Sequence, residues 1–212
     1  MDPEDLKKPQ LTLVGGVDLS FSKKDNTKAI AALVVIDAFT WEIVHEKYEL
    51  VTLSQPYVPG FLAFREVEHL VKLINSLKKE NSNLYPQVIL VDGNGILHIN
   101  RFGLASHLGV LTGIPCIGCA KTIFSVDGIN KDYLDSLCES SLKKDGDCVE
   151  LVGKKGAVWG IAYKNKVYEE PLIISIGHKI SLDSAVQIVS WVSDSQIPVP
   201  VKIKFNIFIF IF

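Results

Sequence analysis

Apolar residues recur along this chain in two rhythms, and the change from one to the other marks out its elements. Residues 11–21, 30–36 and 41–50 are short apolar or alternating runs joined by short turns, which predicts three strands in an antiparallel meander. From about residue 60 to 79 the spacing lengthens. Leu62, Leu70, Leu73, Ile74 and Leu77 recur at three- and four-residue intervals, with Arg65, Glu68, His69, Lys72 and Lys78 mostly on the other side, the signature of an amphipathic helix. The run QVILVDG then has the continuous apolar character of a strand buried in a parallel sheet. A helix over 102–112, a buried strand over 114–120 and later strands over 157–163 and 172–176 follow. Ser181 is the expected cap of a last helix through Val192, with Asp183 in its first turn. Residues 121–155, charged and punctuated by glycine, suggest an insertion or lid. Together these elements predict an α/β fold, a mixed sheet whose first three strands are antiparallel, with helices on both faces.

Three carboxylates break these apolar rhythms. Asp18 interrupts the first strand at GGVD, Asp92 ends VILVD, and Glu66 lies four residues from both Leu62 and Leu70, on the apolar side of its helix. An ionised carboxylate in such a place is costly unless a partner or a metal compensates. Ligands of open α/β sheets gather beyond strand carboxyl ends, so Asp92 stands where chemistry is expected. If the three converge, they make an oxygen-rich site suited to Mg²⁺, which takes a few carboxylates and keeps waters for a substrate phosphate. Taken singly, each aspartate could equally be a turn or cap residue, and Glu66 could be hydrated at a helix rim.

Around these carboxylates the chain is built for close approach. Pro56 and Pro59 stiffen the turn that carries Tyr57. After Asp92 the sequence GNGILHINRFG offers Gly93 and Gly95, where backbone could approach a flat base turned out of its stack, then His98 and Arg101. Tyr57 could fill the vacated space or stack on a neighbouring base. An ordinary glycine-rich turn with surface His98 and Arg101 is the plainer alternative. Lys121 follows the strand CIGCA as Asp92 follows its own and could reach a phosphate. His178 follows another apolar strand and could help bind a metal, or make a local hydrogen bond at a helix entry.

Composition narrows this picture without redirecting it. A chain of 212 residues, 48% hydrophobic, supports one sizeable core. Lys and Arg total 22 against 24 acidic residues, so any phosphate contact must come from a local basic patch. The start, MDPEDLKKPQ, lacks a signal peptide's apolar core, which leads us to expect an intracellular protein, cytoplasmic or nuclear, with reduced cysteines. Cys116 and Cys119 form a lone CxxC in an apolar run, and Cys138 and Cys148 lack metal-type spacing, so all four are expected to be structural thiols. The tail over 201–212 alternates isoleucine and phenylalanine but is shorter than the roughly 20 apolar residues a bilayer span needs.

Read in order, GGVD, PYVPGFLAFRE, VDGNGILH, GLASHLGVLTGIPCIGCAKT and SIGHKIS resemble the endonuclease V family over residues 11–200. That resemblance divides the chain into an extension over 1–10, a catalytic domain over 11–200 and the apolar tail. It implies a ribonuclease-H-like fold, dependence on Mg²⁺ with Mn²⁺ as a substitute, recognition of hypoxanthine, and cleavage of the second phosphodiester bond on its 3′ side. By motif position it implies that Asp18, Glu66 and Asp92 are the metal-binding catalytic carboxylates, joined at the metal by His178 and Asp183. Lys121 falls near the cleaved phosphate. Tyr57 falls at the wedge, with Pro59 and Gly60 beside it, and Gly93, Asn94, Gly95, Ile96, Leu97 and His98 fall in the base pocket. Relatives carry an arginine two residues after the pocket histidine, whereas here Asn100 takes that place and Arg101 follows. The cysteine-bearing IPCIGCAKT resembles the animal branch, which implies inosine-containing RNA as the partner ahead of deaminated DNA. A ribonuclease-H-like nuclease on other nucleic-acid structures, and an inosine-RNA-binding protein without turnover, are the alternatives.

Overall fold

The computed structural model describes residues 11–25, 27–55, 58, 60–165 and 170–194. The meander expected at the start is present as β1 (Leu13–Phe21), β2 (Lys28–Asp37) and β3 (Ile43–Thr52), paired antiparallel in that order. β2 is buried along nearly its whole length, whereas β3 alternates exposed and half-buried positions, as an edge strand should. Helix α1 (Leu62–Glu80) then carries the chain across one face of the sheet to β4 (Val88–Asp92), which lies parallel to β1. A return over the same face by α2 (Leu104–Thr112) leads to β5 (Cys116–Ala120), parallel to β4.

Beyond β5 the strands reverse. β6 (Cys148–Val152), β7 (Val158–Tyr163) and β8 (Leu172–His178) form an antiparallel set joined to β5 through β8, completing an eight-stranded sheet of order β3-β2-β1-β4-β5-β8-β7-β6. The last helix, α4 (Leu182–Asp194), packs on the opposite face from α1 and α2. Val67, Leu70, Leu73, Ile74 and Leu77 of α1 join Leu104 and Leu108 of α2 in one apolar cluster, while Ala185, Val189 and Val192 of α4 join Val14, Leu90 and Ile117 in another. Its start follows the expected cap, with the Ser184 amide donating to Ser181 Oγ at 3.1 Å.

Residues 121–155 are not a detached lid. They contain α3 (Lys131–Ser141), capped by Asn130, whose side chain accepts from the Tyr133 amide, and they supply β6 to the sheet edge. Leu134, Leu142 and Leu151 from this stretch close a third apolar cluster with Leu97, Ala120, Trp159 and Ile173. No helix among the described residues is long and apolar enough to cross a membrane.

Candidate active site

Parallel pairing of β1 with β4 does the first part of the work. Val17 lies opposite Val91, so the next residue in each strand, Asp18 and Asp92, emerges at the same sheet end on neighbouring strands, roughly 5 Å apart at the backbone. Glu66 comes from the first turns of α1 and is only 6% exposed. All three carboxylates line one cavity of about 470 Å³, shared with Leu19, Ser20, Phe21, Lys23, Gly60, Ala63, Gly93, Asn94, His98, Gly103, Leu104 and Phe124. Ser20 Oγ donates to Asp18 Oδ2 at 3.0 Å.

The opposite wall is a clamped loop after β4. The Gly95 amide donates to Ser175 Oγ at 2.9 Å, the Ile96 amide to the Ile176 carbonyl at 2.8 Å, and the Gly103 amide to the Gly95 carbonyl at 2.9 Å. The two loop glycines therefore do different things. Gly93 sits at φ 151°, a conformation side chains rarely adopt, and it lines the cavity. At Gly95 a side chain would run into the Ile176 carbonyl, so its bareness serves strand packing and not ligand approach. Leu97 is fully buried in the third apolar cluster and anchors the loop from beneath, which removes it from the ligand-facing surface. Ile96 is half-buried and lies outside the cavity wall.

His98 faces the cavity, its ring 5.0 Å from that of Phe124. Burial pulls its pKa below the usual histidine value, favouring the neutral ring. Nδ1 accepts from the Asn100 amide at 3.3 Å, so the proton of that neutral ring is assigned to Nε2, a donor. Arg101 does not turn toward this wall. Its guanidinium lies 4.4 Å over the Trp159 ring, on a backbone at φ 52°. Lys121 follows β5 at the same sheet end as Asp92 but is not part of the cavity wall.

Two residues expected at the metal stand elsewhere. His178 lies opposite Cys116, on the rung of Ile89 and three rungs from Asp92, roughly 10 Å along the strand, where it packs on Gly109 of α2. Asp183 sits in the first turn of α4, whose core packs against the face away from α1. Neither lines the cavity. Tyr57 and Pro59 fall outside the described residues, as does the tail over 201–212. The cavity also contains what sequence reasoning passed over. Lys23 follows β1 as Lys121 follows β5, so the strand-end argument could have found it, whereas Phe124 carries no comparable signal.

As a donor set for a divalent ion, the site fits in its chemistry. It offers carboxylate oxygens from three side chains, and one of these, Glu66, is too buried to be an ordinary surface charge. Among the described residues no three His, Cys, Asp or Glu side chains stand close enough to enclose an ion. Mg²⁺ asks for less, commonly one or two carboxylates plus water and substrate phosphate. The cysteines make no competing metal centre. All four are free, and burial pushes the thiols of Cys116 and Cys119 up to about 12.

Comparison with known proteins places this arrangement. The sequence model of the family described as Endonuclease V matches residues 1–204. Human Endonuclease V is 45% identical over 189 residues, covering 89% of this chain and 67% of the human protein. Its mouse counterpart is 46% identical over 89% of this chain, which spans 56% of the mouse protein. The crystal structure of the catalytic domain of human Endonuclease V superposes with a TM-score of 0.86 at 46% identity, covering 90% of this chain and 78% of that one. Endonuclease V of Ciona intestinalis, in complex with a 23mer DNA containing an inosine followed by a ribo-adenosine, gives 0.85 at 37% identity over 92% of this chain and 82% of that one. The mixed sheet is thus of the ribonuclease-H-like kind. Sharing close to half its residues with two mammalian members over 89% of its length, and folding as members do, this chain belongs to the Endonuclease V family.

Proposed function

We propose that this chain is a divalent-metal-dependent endonuclease that cuts single-stranded RNA at the second phosphodiester bond 3′ to inosine. The observation that carries the reading is the convergence of Asp18, Glu66 and Asp92, from two strands and a helix, on one cavity backed by the clamped loop. The cavity's volume of about 470 Å³ lies within the range of small-molecule sites and is ample for one flipped nucleoside. Binding of inosine-containing DNA by the Ciona relative supports the choice of base.

In this reading Gly93, Asn94 and Gly60 form a close-fitting wall for the flipped base, and the neutral His98 offers it one donor, Nε2. Asp18 and Asp92, side by side on neighbouring strands, would hold Mg²⁺, with Mn²⁺ as a substitute and Glu66 facing the same cavity; the ion when bound would supply charge neutralisation at the phosphate and a more acidic attacking water. Lys121 and Lys23 draw the phosphodiester to the rim, where water attacks phosphorus and the bridging oxygen leaves with a proton. Such an enzyme would meet its substrate in the cytoplasm or nucleus.

The experiment compares one inosine-containing single-stranded RNA with its adenosine twin, with Mg²⁺ or with a chelator. Cleavage of the inosine strand alone, and only with the ion, is expected; equal cutting of both strands would discard the reading. DNA carrying inosine, run alongside, tests the competing preference for deaminated DNA.

A further inference from the structure

Beside the mouth of the cavity lies a surface that the chemistry above leaves unused. Phe61 and Phe64, at the start of α1, are 52% and 56% exposed, and Phe102, just before α2, is 39% exposed. Large apolar rings left in water at this density ask for an occupant. They are also in contact with one another through His107. The Phe61 and Phe64 ring centres are 6.0 Å apart, Phe64 and His107 4.8 Å, and His107 and Phe102 5.3 Å, so four rings form one continuous ladder. These are aromatic contact distances.

We propose that this ladder is a stacking platform for the single-stranded nucleotides that flank the one held in the cavity. The inference rests on the nuclease reading above and extends it along the strand. Continuity is the first argument. Ala63 and Gly60 line the cavity beside Phe64 and Phe61, and Gly103 and Leu104 line it beside Phe102, so both ends of the ladder run directly into the cavity wall. A strand whose reacting phosphate lies over the carboxylates must leave across some neighbouring surface, and this one presents rings. Bases stack on rings irrespective of sequence, which suits residues outside the selective pocket.

Charge is the second argument. Lys23 stands in the cavity wall, and Arg65, in the turn between Phe64 and Glu66, places its guanidinium 5.7 Å from the Phe21 ring. Cations at the rim of an aromatic surface match a phosphate backbone better than they match an apolar protein face. His107 fits the same role. Burial pulls its pKa down, so the ring is neutral near physiological pH, and its buried Nδ1 has no hydrogen-bond partner. A neutral ring can stack without requiring a counter-charge.

The test is binding without divalent metal, read by fluorescence anisotropy at fixed salt on the full chain. Its probes are a roughly 12-nucleotide single strand with one central inosine, its adenosine twin, and versions of both in which the flanking bases are abasic. Wild type should lose about tenfold in affinity on abasic flanks. Phe64→Ala should lose about tenfold on the ordinary strand and then become indifferent to the flanks, while Phe64→Tyr, which still stacks, should behave as wild type. An unchanged melting temperature separates loss of stacking from loss of fold. Unaltered binding by Phe64→Ala, or a variant still sensitive to abasic flanks, overturns the platform. Wild type that ignores inosine yet loses affinity on abasic flanks overturns the proposed substrate and retains the platform, and wild type that binds no strand overturns both.

Discussion

Glu66 has two accounts to reconcile, one in stability and one in chemistry. Its carboxylate is almost wholly buried and shares a cavity with two others, so folding takes this side chain out of water at the place where the chemistry is proposed. Glu66→Gln keeps the shape and hydrogen-bonding capacity but removes the charge. The expected result is a variant on the order of 100-fold slower in cleavage whose midpoint in denaturant titration stays close to that of wild type. Equal stability with full turnover would remove Glu66 from the chemistry. These carboxylates were legible in the sequence because each falls where an apolar rhythm calls for another side chain. Gly95 and Leu97 were not, since a loop has no period to violate, and only the fold reveals that one meets the Ile176 backbone and the other fills a core.

At the scale of elements, the loop between β4 and α2 owes its form to β8. Its amides are bound by Ser175 and Ile176, and Gly118 of β5 lies so near that a side chain there would crowd the Gly95 amide. Gly95→Ala should therefore cost about 3 kcal/mol in the urea midpoint, because backbone and not a pliable side chain occupies the space. A variant as stable as wild type would mean that the clamp yields. Strand direction also explains why His178 is distant from the carboxylates. β1, β4 and β5 run the same way and deliver Asp18, Asp92 and Lys121 to one rim, whereas β8 runs opposite and ends at the other. An apolar run followed by a polar residue looks the same in either direction, so the sequence could not distinguish them. α3 and β6 escaped notice for a different reason. Each buries a single residue, Leu134 and Leu151, too few to establish a rhythm.

For the molecule as a whole, histidine burial sets the response to acid. Desolvation lowers the pKa of His69, His98 and His107 below the ordinary histidine value of about 6.5, so the folded chain takes up protons less readily than the unfolded one. Their contribution to stability is full above that value and is lost as pH falls from it toward the lower folded values. Asp25, Asp37 and Asp147, lowered from 3.8 by hydrogen bonds, lose theirs only in a more acidic window. Chemical denaturation should thus give a lower midpoint at about pH 5.5 than at about pH 7.5, and coincident midpoints would contradict the histidine assignment.

Sheet order carries one more consequence, and it concerns biosynthesis. Asp18 is translated early, yet its partner Asp92 reaches it only when β4 is laid between β1 and β5, and the loop that backs the cavity is held by Ser175 and Ile176 of β8. A nascent chain that has not yet extruded β8 possesses the carboxylates but not the pocket. On the reading proposed above, in which RNA is the substrate, the topology itself withholds a finished cutting edge from the translating ribosome until β8 has emerged.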